Sequence, residues 1–113
     1  MLIPLLPEEF TSRDRYIELF QEMMARIVTF QDDNGYWHAS LLDPASYPSP
    51  ETSSTGFFTF ALWWGINYGL LDEDIYLPYA YKGWKALVAS VHPNGMLGWV
   101  QPVGADPPKV TKD

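Results

Sequence analysis

Between Phe57 and Leu71 the chain reads FFTFALWWGINYGLL, and few architectures accept such a run. It contains no charged residue, and its only strongly polar side chains are Thr59 and Asn67. A bilayer-spanning helix needs about 20 apolar residues, and this run is shorter. Apolar residues fall on every side of the helix it would form. A helix of that kind has to be covered by protein on both sides. The run is entered through Pro50-Glu51-Thr52-Ser53-Ser54-Thr55, so a polar cluster sits at its mouth.

Two amphipathic helices flank it. Tyr16, Leu19, Phe20, Met23, Ile27 and Phe30 recur at helical spacing and predict a first helix over Ser12–Phe30, capped by Thr11 or Ser12. The buried helix spans Ser53–Leu70. A third is expected over Ile75–Val91, with Tyr76, Ala80, Trp84, Leu87 and Val91 as its stripe. Asp72 or Asp74 caps it, and Pro78 lies near its start, where a missing N–H costs least. Trp63, Trp64 and Trp84 are assigned to the core.

Helix one leads into IVTFQDDNGYW and helix three into LVASVHPNGML. Aligning Asn34-Gly35 with Asn94-Gly95 gives an offset of 60 residues and pairs Ile27 with Leu87 and Val28 with Val88. Asn-Gly favours a tight turn with positive φ. A repeated unit of outer helix, Asn-Gly loop and inner helix follows. Such units build a toroid with inner and outer rings of helices, and an inner-ring helix is packed on both sides. The fold expected is all-α: three helices, outer-inner-outer, with long loops, forming a segment of an (α/α)6 toroid in a single partial domain over residues 1–113. A self-contained three-helix bundle is the alternative.

Charge narrows the function. Fourteen acidic against seven basic residues give a formal charge of −7. A nucleic-acid binder needs a basic stripe, and an anionic lipid surface would repel this chain. Neither nucleic acid nor membrane is an expected partner. The sequence has no cysteine, which excludes disulfides and thiolate metal sites. No metal-ligand spacing recurs, and no metal or cofactor is expected. Asp32-Asp33-Asn34 has the start of a calcium loop but lacks the later bidentate acid. The N-terminal MLIPLLPEEF lacks the basic residues and the apolar length of a signal peptide.

The candidate binding residues gather around the mouth of the second helix. Glu51 either holds a sugar hydroxyl or a water there, or satisfies free N–H groups of the first turn. Thr52 to Thr55 are caps and close-packing hydroxyls before they are nucleophiles, with Thr52 retained as a possible ligand contact. His38 either binds a uronate or hydroxyl, or is an ordinary loop hydrogen-bonding residue. Trp37 and Trp99, each following an Asn-Gly turn, offer faces on which a pyranose could stack. The substrate-binding set is therefore Trp37, His38, Glu51, Thr52 and Trp99. No catalytic residue is assigned.

These residues also carry a resemblance. Trp37 with Leu41-Leu42-Asp43, Glu51-Thr52-Ser53 entering an apolar helix, Trp64-Gly65-Ile66, Lys82-Gly83-Trp84 and Asn94-Gly95 resemble the later part of family 88/105 glycoside hydrolases, over about residues 15 to 105. The resemblance implies an (α/α)6 toroid that acts on short oligosaccharides carrying a 4,5-unsaturated uronic acid. It implies hydration of the sugar double bond with an aspartate as general acid/base. That aspartate lies in an upstream motif which no residue here matches. The chain is thus expected to be a later-half fragment of such a hydrolase, inactive alone, from a soluble bacterial protein of the cytoplasm or periplasm. A non-catalytic carbohydrate-binding or self-associating remnant is the alternative reading. With only two amphipathic helices beside it, the 57–70 helix is expected to form a homo-oligomer contact, drawn from Phe57, Phe60, Ala61, Trp64 and Tyr68.

Overall fold

The computed structural model describes residues 2–102. It contains three helices: α1 (Arg13–Ile27), α2 (Thr52–Asn67) and α3 (Glu73–Ala89). Short 3-10 turns at Ile3–Leu5 and Val28–Phe30 bracket α1. Between α1 and α2 a two-residue ladder pairs β1 (Trp37–His38) with β2 (Pro50–Glu51), antiparallel, with Trp37 opposite Glu51. The terminal stretch from Val103 lies outside the described residues.

The caps follow the sequence in two cases of three. Asp72 caps α3, its Oδ1 accepting Asp74 N at 2.9 Å. Glu51 caps α2. Ser12 stands at the N-cap of α1 but makes no side-chain capping bond. Both Asn-Gly turns form, with Gly35 at φ 95° and Gly95 at φ 84°. They also share a bonding pattern. Asp32 N donates to Tyr36 O (2.9 Å) and Gly35 N to Asp32 O (3.1 Å); His92 N donates to Met96 O (2.8 Å) and Gly95 N to His92 O (2.8 Å). The 60-residue offset is therefore structural at these turns.

Packing departs from the expected stripes. On α3 the buried residues are Ala80, Gly83 and Ala86, while Trp84 is 55% exposed. On α2 they include Thr52, Thr55, Thr59 and Leu62, while Phe57 is 75% and Phe60 59% exposed. The cause is the closeness of the two helices. A Cβ built on Gly83 would overlap Thr59 Oγ1. At that separation only small side chains fit between the axes, and the bulky ones are displaced to the flanks. Trp84 is accordingly not a core residue. The rest of the described chain leaves one side of α2 open: Phe57, Phe60 and Tyr68, expected on that side, are exposed, whereas Trp64, expected with them, is nearly buried.

The core lies beside this seam. Met24, Val28, Trp37, Leu62, Leu71 and Ala80 form it. Trp64 is nearly buried, with Phe20 edge-on at 5.3 Å and Tyr68 stacked at 4.8 Å. Gln21 Nε2 ties α1 to the turn between α2 and α3 through Leu70 O (2.8 Å). Gln31 Nε2 ties the α1 exit to α3 through Tyr79 O (3.0 Å). Of the stripe expected on α1, Tyr16, Leu19 and Met23 remain largely exposed.

Gly83→Ala should cost about 1–3 kcal/mol, the usual range for overpacking. Thr59→Ala removes the clashing hydroxyl, which is buried and has no partner. The Thr59→Ala/Gly83→Ala double variant should recover part of that loss, read as a coupling energy in a urea-denaturation cycle. Gly56→Ala, whose new methyl would meet only Leu87 Cδ2 at 4.0 Å, should instead stabilise by about 0.5–1 kcal/mol.

Candidate functional site

All five residues singled out in the sequence meet at the N-terminal end of α2. The β1–β2 ladder brings Trp37 and His38 to Glu51 and Pro50. From the far end of the chain, segment 98–101 folds back over the first turn of α2. Thr52 N donates to Trp99 O (3.0 Å) and Thr52 Oγ1 to Gly98 O (2.7 Å). Gly98 N is held in turn by Ser90 O (2.9 Å).

Glu51 is the hub. It is 2% exposed. Its Oε1 accepts Ser53 N (2.8 Å), the Ser53 hydroxyl and Gln101 N (3.3 Å), and its Oε2 accepts Ser54 N (2.8 Å). Burial alone would raise its pKa. The Ser53 and Ser54 side-chain and backbone donors outweigh burial and hold it below the ordinary 4.5. The carboxylate is thus an ionised cap with bonds accepted at both oxygens. Its backbone carbonyl is engaged as well, accepting Thr55 Oγ1 (2.7 Å), while that same hydroxyl oxygen accepts Trp37 N (3.1 Å).

The other members are similarly engaged, with one exception. Trp37 has no exposed surface; its indole N–H donates to Ile27 O (2.8 Å) and its ring meets Phe58 edge-on at 5.3 Å. It therefore has no free face for a sugar. Thr52 is 1% exposed, with both of its donors used on segment 98–101. His38 Nδ1 lies 2.9 Å from Ser49 O and 3.2 Å from Tyr47 O, and its Nε2 lies 3.0 Å from Asp32 Oδ2. Both ring nitrogens thus face acceptors of this chain, and His38 clamps the end of the 39–49 loop. Asp32 Oδ1 accepts Asn34 N and Tyr36 N, each at 2.9 Å. The Asp32 carboxylate is a turn-and-clamp device.

Trp99 is the exception. It is half-buried, and among the described contacts its indole makes no hydrogen bond. Its backbone is left-handed, with φ 61°, the one non-glycine residue so placed among those described. That conformation costs roughly 1–2 kcal/mol in an L-residue. The bonds from Thr52, Ser90 and Glu51 to its neighbours hold it there. Gln101, which joins Glu51, was not visible in the sequence, because nothing local links it to a residue 50 positions earlier. Among the described residues, no group of three or more His, Cys, Asp or Glu side chains could hold a metal. Among the same residues, no helix is long and apolar enough to cross a membrane.

Comparison with known proteins defines the class. The model of Glycosyl Hydrolase Family 88 matches residues 1–112, and the chain belongs to that family. Among curated relatives it is 43% identical over 113 residues to an unsaturated 3S-rhamnoglycuronyl hydrolase of Formosa agariphila, covering 100% of this chain and 30% of the relative. A hydrolase of the same name from Alteromonas sp. is 44% identical over 110 residues, 97% of this chain and 27% of the relative. The solved structure of a family 88 glycosyl hydrolase from Bacteroides vulgatus superposes with a TM-score of 0.89 at 41% identity, covering 97% of this chain and 32% of that one. The chain thus spans about a third of the length of the proteins it matches.

Two predictions come from this geometry. Because the folded-state pKa of Glu51 is depressed, its contribution to stability is complete above about pH 4.5 and is lost as pH falls through the lower folded value. Glu51→Ala should cost about 2 kcal/mol at neutral pH, as for a strong N-cap, and should flatten the acid limb of a stability–pH curve. At position 99, Ala and Gly both delete the indole, but only glycine accepts φ 61° freely. Trp99→Gly should therefore be more stable than Trp99→Ala by about 1 kcal/mol. Equal denaturation midpoints would mean that the turn relaxes and stores no strain.

Proposed function

We propose that this chain forms one section of an (α/α)6 toroid glycosidase that acts on oligosaccharides ending in an unsaturated uronate. The reaction is hydration of the vinyl-ether double bond followed by ring opening. The general acid/base is an aspartate that this chain does not contribute. The observation carrying this reading is the identity of 43% across the whole chain with a hydrolase named for unsaturated rhamnoglycuronyl substrates.

Within this reading the chain binds rather than reacts. The Glu51 carboxylate already accepts bonds at both oxygens, so it does not serve as proton donor. Trp99, with ring surface and no internal hydrogen bond, is the sugar-contacting face. Thr52 and Glu51 hold its segment in place, while Trp37, paired with Glu51, and His38, on the 39–49 loop, contribute to substrate binding through position. An apolar face beside one fixed polar rim suits a pyranose, whose C–H surface packs on indole.

A chimera tests this. Residues 1–113 replace the homologous 30% of the Formosa agariphila relative, and turnover of an unsaturated disaccharide is followed by loss of the conjugated uronate absorbance. The chimera should hydrolyse the disaccharide, and Trp99→Ala in it should raise KM several-fold with a smaller change in kcat. The 113-residue chain alone should show no turnover. A folded but inactive chimera would defeat the proposal. Turnover by the isolated chain, abolished by Glu51→Gln, would move catalysis onto Glu51.

A further inference from the structure

The two Asn-Gly turns share a bonding pattern but differ in what surrounds them. At the first, Gly35 is buried, and a side chain's first carbon there would overlap Lys82 O of α3. Asp32 Oδ1 also accepts Asn34 N and Tyr36 N, each at 2.9 Å. At the second, Asn94 and Gly95 are exposed, and no described atom lies within 4 Å of the corresponding carbon on Gly95. Here the asparagine side chain is itself engaged: Asn94 Oδ1 accepts Met96 N at 3.0 Å. We propose that Asn94-Gly95 is a site of spontaneous covalent modification, cyclising to a succinimide that opens to aspartate or isoaspartate, while the fold protects Asn34-Gly35.

The step is intramolecular. Gly95 N bonds to Asn94 Cγ, and the Cγ–Nδ2 bond breaks. Nδ2 leaves as ammonia, taking up the proton that Gly95 N gives up. Water then adds to one of the two ring carbonyls and breaks its bond to nitrogen, leaving a carboxylate and releasing a proton. Opening at the Cγ carbonyl gives aspartate. Opening at the former backbone carbonyl gives isoaspartate, whose main chain is longer by one methylene.

Glycine has no Cβ, so its nitrogen can approach Cγ closely, and both turns share that property. Two further features separate them. Negative charge develops on the asparagine Oδ1 as the nitrogen adds, and a donor already aimed at that oxygen stabilises it. Met96 N is such a donor at Asn94; among the described bonds, those of Asn34 involve its backbone N–H and not its side chain. Each glycine N–H is also held by a turn bond, Gly35 N to Asp32 O at 3.1 Å and Gly95 N to His92 O at 2.8 Å. The turn must therefore open before attack. Opening the first displaces a peptide wedged against α3 and breaks both Asp32 bonds. Opening the second moves the short hairpin between Val91 and Leu97. Local openings cost least where contacts are fewest. Wedge and donor both come from this chain's own backbone, so the asymmetry belongs to the chain itself. The lengthened, more acidic hairpin leads to Gly98, whose N–H Ser90 O holds at 2.9 Å. Modification thus loosens the return of segment 98–101 over α2.

Timed incubation of the 113-residue chain in warm neutral buffer, followed by peptide mass spectrometry, tests the proposal. Each modified peptide gains about 1 Da. A parallel incubation in urea removes the fold and leaves two Asn-Gly sequences. In urea the two peptides should react at rates within about threefold of each other, whereas in the folded chain the Asn94 peptide should react about tenfold faster than the Asn34 peptide. Asn94→Gln, whose longer side chain would have to close a six-membered ring, should abolish the folded-chain product. Asn34→Gln should leave it unchanged. Equal rates at the two turns of the folded chain, or faster modification at Asn34, overturn the proposal. So does a folded chain that reacts at neither turn while both react in urea. A preference for Asn94 as large in urea as in buffer overturns it too, because the sequence and not the fold would then set the rate.

Discussion

An ionised carboxylate at 2% exposure is the constraint around which this structure is organised. A charge removed from water must be fully hydrogen-bonded or it destabilises the fold by several kcal/mol. Glu51 meets that demand with donors from two distant parts of the chain: Ser53 and Ser54 in the first turn of α2, and Gln101 from the far end. Its backbone takes part in the ladder with Trp37. Satisfying one buried charge therefore closes two loops at once, the 39–49 excursion and the return of segment 98–101. The end of α2 becomes a fixed junction, and a rigid junction can hold a residue in a conformation it would otherwise leave. Trp99 is that residue.

A second constraint, the seam between α2 and α3, decides what faces outward. Small residues at the seam let the axes approach closely, as Gly83 against Thr59 shows. Close axes bury backbone and methyl groups and displace the large side chains to the flanks. The result inverts the usual reading of hydrophobicity: threonines and alanines are inside while Phe57, Phe60 and Trp84 lie outside. Apolar surface of that extent is unfavourable in water. On a chain that spans about a third of its family 88 relatives' length, these residues form a face that the described residues leave uncovered.

The helices were legible in the sequence because periodicity and caps are local. All three were expected, with starts within two residues of those found and ends within about three. The Asn-Gly turns were legible for the same reason, and so was the 60-residue offset. The candidate site was half legible. Its five residues do converge, but their roles required the fold. Trp37 and Trp99 look alike in sequence, each a tryptophan after an Asn-Gly turn. Only the pairing of Trp37 with Glu51, against the left-handed turn at Trp99, makes one a core residue and the other a rim residue. The burial pattern of α2 was legible only in part: Phe57, Phe60 and Tyr68 lie on the open side as expected, but Trp64 does not, because helical spacing reports which residues share a face and not how near the next axis lies.

The equivalence of the two turns and the inequivalence of their tryptophans belong together. Gly35 is buried against α3, where a side chain would overlap Lys82 O, while Gly95 faces open space. The first turn is thus fixed by helix packing, and the strand after it carries Trp37 inward. At Gly95 no described atom lies within 4 Å of a side chain's first carbon, and the chain beyond is anchored by specific bonds instead, those with Thr52, Ser90 and Glu51. Packing tolerates little variation in position, whereas hydrogen bonds to a capped helix end can place a side chain on a surface. A repeated motif has in this way come to serve two purposes: one copy closes the core, and the other sets an indole at the rim of the α2 junction.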